Sequence, residues 1–380
     1  MQSHPFLFVS DRLVVLRVSP AGGQRRQRMK QDTMTPRERW QAVLQRKRPD
    51  RVPLDYWATP EATARLLNHL GCDFDRMLAR LHIDTPLTVS GRYVGPPLRD
   101  GEDQWGLRRV KVDYGTGSYS ETVGAPLAQY QSVGEIEAHY RWPGPDDWDC
   151  SHLPEKIKGQ EHRPIRGGGS EPFLTYQALR GDQQAYMDLV EKPEIVDYCL
   201  GKMFDLAYER TRRIFETIPG RVLITYIAED LGGQQSLLMS RDHIRRFLFP
   251  GMKRMMTLTR QYGSHVFCHS DGAIREVIPD LIDLGVHVLN PIQWRLPGMD
   301  REGLKRDFGE KLVFHGAMDN QTTLPWGTVA DVRREVEDNL RILGAGGGYI
   351  LAPCHNLQAV SPPENIVAMY ETAYELGWPA

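Results

Sequence analysis

Across its 380 residues the chain has no uninterrupted apolar stretch approaching the ~20 residues that a bilayer span requires, so no transmembrane helix is expected. It also lacks an excess of charge. Its 47 Lys and Arg stand against 49 Asp and Glu, a formal net charge of -2, which gives no electrostatic reason to expect DNA, RNA or an anionic membrane as main partner. Cysteine is scarce: Cys72, Cys150, Cys199, Cys268 and Cys354 are odd in number, scattered, and without a Cys-x-x-Cys pair. That excludes a readable disulfide framework or zinc ribbon and fits a reducing cytoplasm. No linker rich in Pro, Gly and Ser divides the chain, and no repeat is visible beyond a strand and helix alternation. The 41% hydrophobic and 25% charged fractions are those of a globular protein, which excludes a disordered chain.

Near the N-terminus the apolar stretch from Phe6 to Val18 is interrupted by Asp11, Arg12 and Arg17, so it does not form the core of a signal peptide. Arg25, Arg26, Arg28 and Lys30 follow, and read as a short basic tail in preference to a presequence or a nucleic-acid patch. Thr35-Pro36-Arg37-Glu38 then combines an N-cap threonine, proline at the first helical position and glutamate at the third, ahead of Trp40, Val43 and Leu44 at helical spacing. The folded domain is therefore expected over 34–380. Residues 1–33 are expected to be a disordered extension, or sequence upstream of a true start at Met34.

From residue 163 onward a β-rich run, a polar or glycine-rich tip and an amphipathic helix recur. The runs are 163–169, 222–228, 265–269, 286–291, 312–316 and 349–353, and 52–57 and 83–89 supply two more. A doubly wound sheet would usually carry a glycine fingerprint after its first strand, and none follows 52–57. The expected fold is thus a (β/α)8 TIM barrel. Alternating Val110, Val112 and Tyr114, then Gly115-Thr116-Gly117, Tyr119 and Val123, predict a β-hairpin inserted in a βα loop. Ser361-Pro362-Pro363-Glu364 opens a closing helix that carries Ile366, Tyr370 and Ala373 on one face.

Barrel chemistry sits where the strands end. The predicted tips are Gly167-Gly168-Gly169 with Glu171, Glu229-Asp230, His269-Ser270-Asp271-Gly272, Asn290-Pro291-Ile292-Gln293, His315-Gly316 with Asp319-Asn320, and Cys354-His355-Asn356. Six polar tips together favour an enzyme over a scaffold. His269 and Asp271 share a face if the strand continues, where a metal or a proton would bridge them, with Glu229, Cys354 and His355 at other tips. Only one of Cys354 and His355 faces the axis unless the strand has ended, and only one of Glu229 and Asp230 reaches the substrate. Turn chemistry at Asp271-Gly272, a packed Cys354 and a loop-bonded His355 are the structural alternatives. Gly344, Gly346, Gly347 and Gly348 precede a strand and read as a helix cap and tight turn. Gly168 follows a strand, where a missing side chain would let a substrate approach. With Asp55 and Tyr56 it is assigned to substrate binding, as are Asn290, Gln293 and Asn356. Glu229, Asp271 and His315 are the acid/base candidates, and for His315 a packed role stays open.

Several of these motifs together resemble the uroporphyrinogen decarboxylase superfamily, over roughly residues 34 to 378. They are Thr35-Pro36-Arg37-Glu38-Arg39 with Arg51-Val52-Pro53, the hairpin insertion, His269-Ser270-Asp271-Gly272, Asn290-Pro291-Ile292-Gln293 and Leu351-Ala352-Pro353-Cys354-His355-Asn356. The resemblance implies a barrel and offers two kinds of chemistry. Its decarboxylases act on a tetrapyrrole without a cofactor and carry an Arg-Gln-Ala-Gly-Arg-Tyr stretch after the first strand. Here that place reads Tyr56-Trp57-Ala58-Thr59-Pro60-Glu61, without the cations an octacarboxylate requires. Its corrinoid-dependent methyltransferases activate a thiol on zinc held by His-x-Cys and a later Cys. In that branch His269 matches the histidine, Cys354 or His355 would be the late ligand, and Asp271 replaces the first cysteine, which makes the site harder. No Asp-x-His-x-x-Gly signature occurs, so a corrinoid would come on a separate protein or as free ligand.

The resulting expectation is a cytoplasmic methyltransferase moving a methyl group between a small substrate and a corrinoid carrier, zinc-assisted through His269, Cys354 and His355. A uroporphyrinogen decarboxylase is the alternative and a non-catalytic ligand-binding barrel the next. No nucleic-acid or membrane partner is expected, and a homodimer stays open.

Overall fold

Thr35 starts the first helix as its sequence dictates: its hydroxyl accepts from the Glu38 amide while the Glu38 carboxylate accepts from the Thr35 amide, with Pro36 at N1. In this computed structural model, which describes residues 31–113, 115 and 118–378, helix Pro36–Leu44 turns Trp40, Val43 and Leu44 onto Ile224, Phe267, Val288, Val313 and Ile350. These last residues lie in the lower halves of strands, so the helix plugs the lower end of a barrel. The expectation for the N-terminal extension falls outside the described residues up to Lys30. Asp32 already belongs to the compact unit.

The strands are β1 (Leu87–Val89), β2 (Arg92–Tyr93), β3 (Arg108–Asp113), β4 (Ser118–Val123), β5 (Trp148–Asp149), β6 (Ile165–Ser170), β7 (Ile224–Ala228), β8 (His265–His269), β9 (Val288–Asn290), β10 (Val313–Met318) and β11 (Tyr349–Pro353). Seven of them form a parallel sheet in the order β1-β6-β7-β8-β9-β10-β11. The eighth place is taken by residues 52–58, held by bridges in place of a ladder: Leu54 pairs with Leu351 and Ala58 with Leu357. On the other side the Asp84 amide donates to the Leu54 carbonyl at 2.7 Å. This closes the (β/α)8 barrel. The strand expected over 52–57 is thus a bridged segment, because Pro53 offers no amide donor and the Leu54 amide is taken by the Asp84 carboxylate. The one expected over 83–89 contracts to 87–89. β3 and β4 pair antiparallel from Arg108↔Val123 to Asp113↔Ser118, and so form the predicted hairpin within the connection from β1 to β6.

The lower end also buries charge. Arg39 and Arg51 are inaccessible and share the Asp84 carboxylate at 2.6 and 2.7 Å. Asp50 meets Arg39 at 2.6 Å, and Asp32 meets Arg51 at 2.9 Å. Burial would raise Asp50, but hydrogen bonds from Arg39 and from the Met34 and Thr33 amides bring it down to about 2.

Candidate active site

Side chains on a strand alternate between faces, and in the parallel barrel Phe267 and His269, Val288 and Asn290, and Val313 and His315 take the inner one. At the upper end they meet in one hydrogen-bonded chain. His315 Nε2 lies 3.0 Å from Asp55 Oδ2, His315 Nδ1 lies 2.7 Å from the Asn290 amide nitrogen, and Asn290 Oδ1 lies 2.5 Å from His269 Nδ1. Burial pushes Asp55 up, yet the hydrogen bond with His315 leaves it below the ordinary carboxylate value. Trp57 donates its indole N–H to Asp55 Oδ2 at 2.8 Å and lays its ring 5.6 Å from that of His315 and 6.0 Å from that of His269. Tyr226 packs 5.5 Å from His269 on the other side.

Beyond the strand end, His269, Asp271 and His355 converge so that one donor atom from each lies within 4.8 Å of the others. Asp230 stands beside them, 3.8 Å from His269 Nε2, and accepts the Asp271 amide at 3.1 Å. Asp271 Oδ1 is buried and makes no hydrogen bond among the described residues. Burial raises the Asp271 carboxyl, His269 and His355 oppose the shift, and Asp230 adds to it. Glu171 is likewise raised, by burial and then by Asp230 and Asp271 against the pull of His269. A cavity of about 570 Å³ opens beside His269 and His355, walled also by Trp57, Tyr226, Arg163 and Arg166. The Arg166 guanidinium lies 5.6 Å from the ring centres of both Trp57 and Tyr226, and its Nε donates to Thr88 Oγ1. Among the described residues neither arginine is paired with a carboxylate; Arg163 makes a long contact with the Thr85 carbonyl.

The sequence profile of the uroporphyrinogen decarboxylase (URO-D) family matches residues 155–376, more than half of the chain. The protein belongs to this family. The match takes in β6 to β11 and so every strand-end residue of the site except those of 52–58. Among solved structures, a methyltransferase from Methanosarcina mazei is similar over 90% of this chain and 99% of its own, at 17% identity and a TM-score of 0.65, a likeness of fold. Xylanase 10B from Thermotoga maritima is similar over 61% of this chain and 82% of its own, at 11% identity and a TM-score of 0.39. No curated protein sequence matches the chain.

Within this URO-D barrel the predicted residues separate. His269, Asp271 and His355 come together, and Tyr56 and Asn356 line the cavity. Cys354 does not join them. β11 ends at Pro353, the thiol turns back to donate to the Ile292 carbonyl at 3.3 Å, and burial pushes it well above its ordinary value, the reverse of what a thiolate ligand requires. Glu229 also faces away from the cavity: it is buried and accepts the Phe173 amide at 3.0 Å, at the start of helix Pro172–Arg180, and burial raises it well above the carboxylate range. Asp230, one residue on, is the member of the pair that reaches the site.

His315 is wholly buried with both ring nitrogens occupied, so it acts through Asn290 and not on a substrate; Asp55 and Asn290 are buried with it. Gln293 spends its carbonyl oxygen on the Gly272 amide, which holds the loop after β8. Gly168 does border the cavity, but its φ of +70° and a Cβ position 2.4 Å from Thr211 Cγ2 show that the missing side chain makes room for a helix, not for a ligand. The residues not singled out from sequence are Trp57, Tyr226, Arg163 and Arg166. Arg166 carries no signal by alternation with Gly168, because the register shifts between Arg166 and Gly169 and the positive φ of Gly168 turns it toward Thr211 while Arg166 faces the cavity.

Proposed function

We propose that the protein is a zinc-assisted methyltransferase of the URO-D family, moving a methyl group between a small substrate and a corrinoid carried by a separate protein. The observation that carries the metal assignment is the convergence of His269, Asp271 and His355 around a buried Asp271 oxygen that no described donor satisfies. Two imidazoles and a carboxylate are a donor set that catalytic zinc accepts while keeping a position open. Zinc bound there would act as a Lewis acid that favours the ionised form of an acceptor thiol or hydroxyl. The protein's own part is placement. Asp230 holds the backbone of Asp271, Asn290 orients His269, and Trp57 and Tyr226 wall the cavity against water. Arg163 and Arg166 offer cationic partners to an anionic end of the substrate.

Those same arginines favour the second reading, decarboxylation of a carboxylate-bearing tetrapyrrole, since they supply from β6 and its approach the charge that the first strand lacks. Elemental analysis of the purified protein separates the two. Stoichiometric zinc, lost in a folded His269→Ala variant together with turnover, is the expected result. A metal-free protein that decarboxylates a porphyrinogen would reverse the order, and unchanged ligand binding without turnover would make it a binding barrel.

A further inference from the structure

We infer that Asp55, His315 and Asn290 are positioning residues that fix the proton of His269 on Nδ1 and present its Nε2 lone pair to the cavity. Each link of the hydrogen-bonded chain constrains the next. Asp55 receives the Tyr56 amide at Oδ1 and the Trp57 indole N–H at Oδ2, and His315 Nε2 lies 3.0 Å from the same Oδ2. A carboxylate in that setting accepts only, and His315 must carry its proton on Nε2. A neutral His315 then has an acceptor at Nδ1, which the Asn290 NH2 group satisfies at 2.7 Å. This orients the amide, for its oxygen is now the atom 2.5 Å from His269 Nδ1, and an oxygen there demands a donor. His269 is left with N–H at Nδ1 and a lone pair at Nε2, the atom beside Asp230 and within the group formed with Asp271 and His355.

The amide also sets what this chain does not do. Passing a proton through Asn290 would require its imidic acid form, so Asp55 and His269 are coupled in orientation and charge but exchange no proton. All four side chains are buried; His269, Asn290 and His315 come from the neighbouring strands β8, β9 and β10 and Asp55 from the closing segment 52–58, an arrangement that leaves few alternative rotamers. That the lone pair serves zinc rests on the function proposed above; the tautomer itself does not.

The test uses the full chain, metal-free and labelled with 15N-histidine, in long-range proton–nitrogen correlation spectra, with the His269 signals assigned by their loss in His269→Gln. The expected pattern is a protonated Nδ1 and an unprotonated Nε2 for His269, and the opposite for His315. In Asn290→Ala the His269 preference disappears, and affinity for added zinc, measured by chelator competition, falls about 10- to 100-fold. Should that variant not fold, Asp55→Asn keeps the shape and frees His315 from its obligation, so the Nε2-protonated form of His269 becomes detectable. An Nε2-protonated His269 in the native chain, or a tautomer indifferent to both substitutions, overturns the inference. Absence of zinc binding with the expected tautomers would instead overturn only the metal reading.

Discussion

The two ends of the barrel bury similar kinds of group and treat them in opposite ways. At the lower end, Arg39 and Arg51 close on Asp32, Asp50 and Asp84, so that both buried cations face carboxylates within hydrogen-bonding distance. At the upper end, Glu171, Asp230 and Asp271 gather around His269 and His355, and among the described residues no lysine or arginine forms an ion pair with them. The lower cluster completes itself. The upper one keeps a buried Asp271 oxygen that no described donor satisfies, a cost to the fold that a bound cation would relieve. Stability and chemistry are divided between the ends, as the geometry of parallel barrels favours.

The largest expected effect tests the lower end. Asp84→Ala leaves two buried guanidinium groups without their common partner and should cost about 3–5 kcal/mol in urea denaturation, while the zinc content of whatever remains folded is unchanged. Next come opposed pH dependences. Asp50 is held down to about 2, so its contribution, about 1–2 kcal/mol after allowance for solvent screening, is present above the ordinary carboxylate pKa and lost as pH falls from near 4 through 2. Asp271 and Glu229 are raised, so the native state takes up their protons before the unfolded state does. They therefore make the metal-free protein more stable as pH falls from neutrality toward the ordinary carboxylate range. Denaturation midpoints against pH should show both slopes, and Asp271→Asn should reduce only the upper one, leaving the part that Glu229 contributes.

At fixed neutral pH, Asp271→Asn should abolish stoichiometric zinc yet leave the metal-free fold at least as stable as the native chain, within about 1 kcal/mol. A loss comparable to that of Asp84→Ala would mean that the upper end is structural too. The smallest effect is the most discriminating for the ligand set. Cys354→Ser should leave zinc content and affinity unchanged, because the thiol is hydrogen-bonded to Ile292 away from the group. Loss of zinc in that variant would restore a thiolate to the site.

Much of this arrangement is legible in the amino-acid sequence. The βα period gives the barrel, alternating residues and a Gly-Thr-Gly turn give the hairpin, and polar types following each β-rich run mark His269, Asp271 and His355. Legibility ends where the chain leaves the sheet. Once β7 and β11 stop, strict alternation no longer says which of Glu229 and Asp230, or of Cys354 and His355, turns inward. It ends again at contacts between remote segments: Asp55 and His315 are separated by 260 positions, and only barrel closure brings them to 3.0 Å. Net charge is uninformative for a related reason. A formal sum of -2 does not show where charge is concentrated, and Arg163 and Arg166 lie together on one cavity wall.

The closing seam has a mechanical consequence. Residues 52–58 join the barrel by single bridges, whereas β7 and β8 share a register five residues long, and the seam brings Asp55 to His315 and Trp57 to the cavity wall. A hoop breathes at its clasp, so opening at Leu54 and Leu351 would slacken the anchor on which the orientation of His269 depends. Amides of that clasp should exchange with solvent sooner than those of β7 and β8, and whatever fills the mouth of the barrel should slow them.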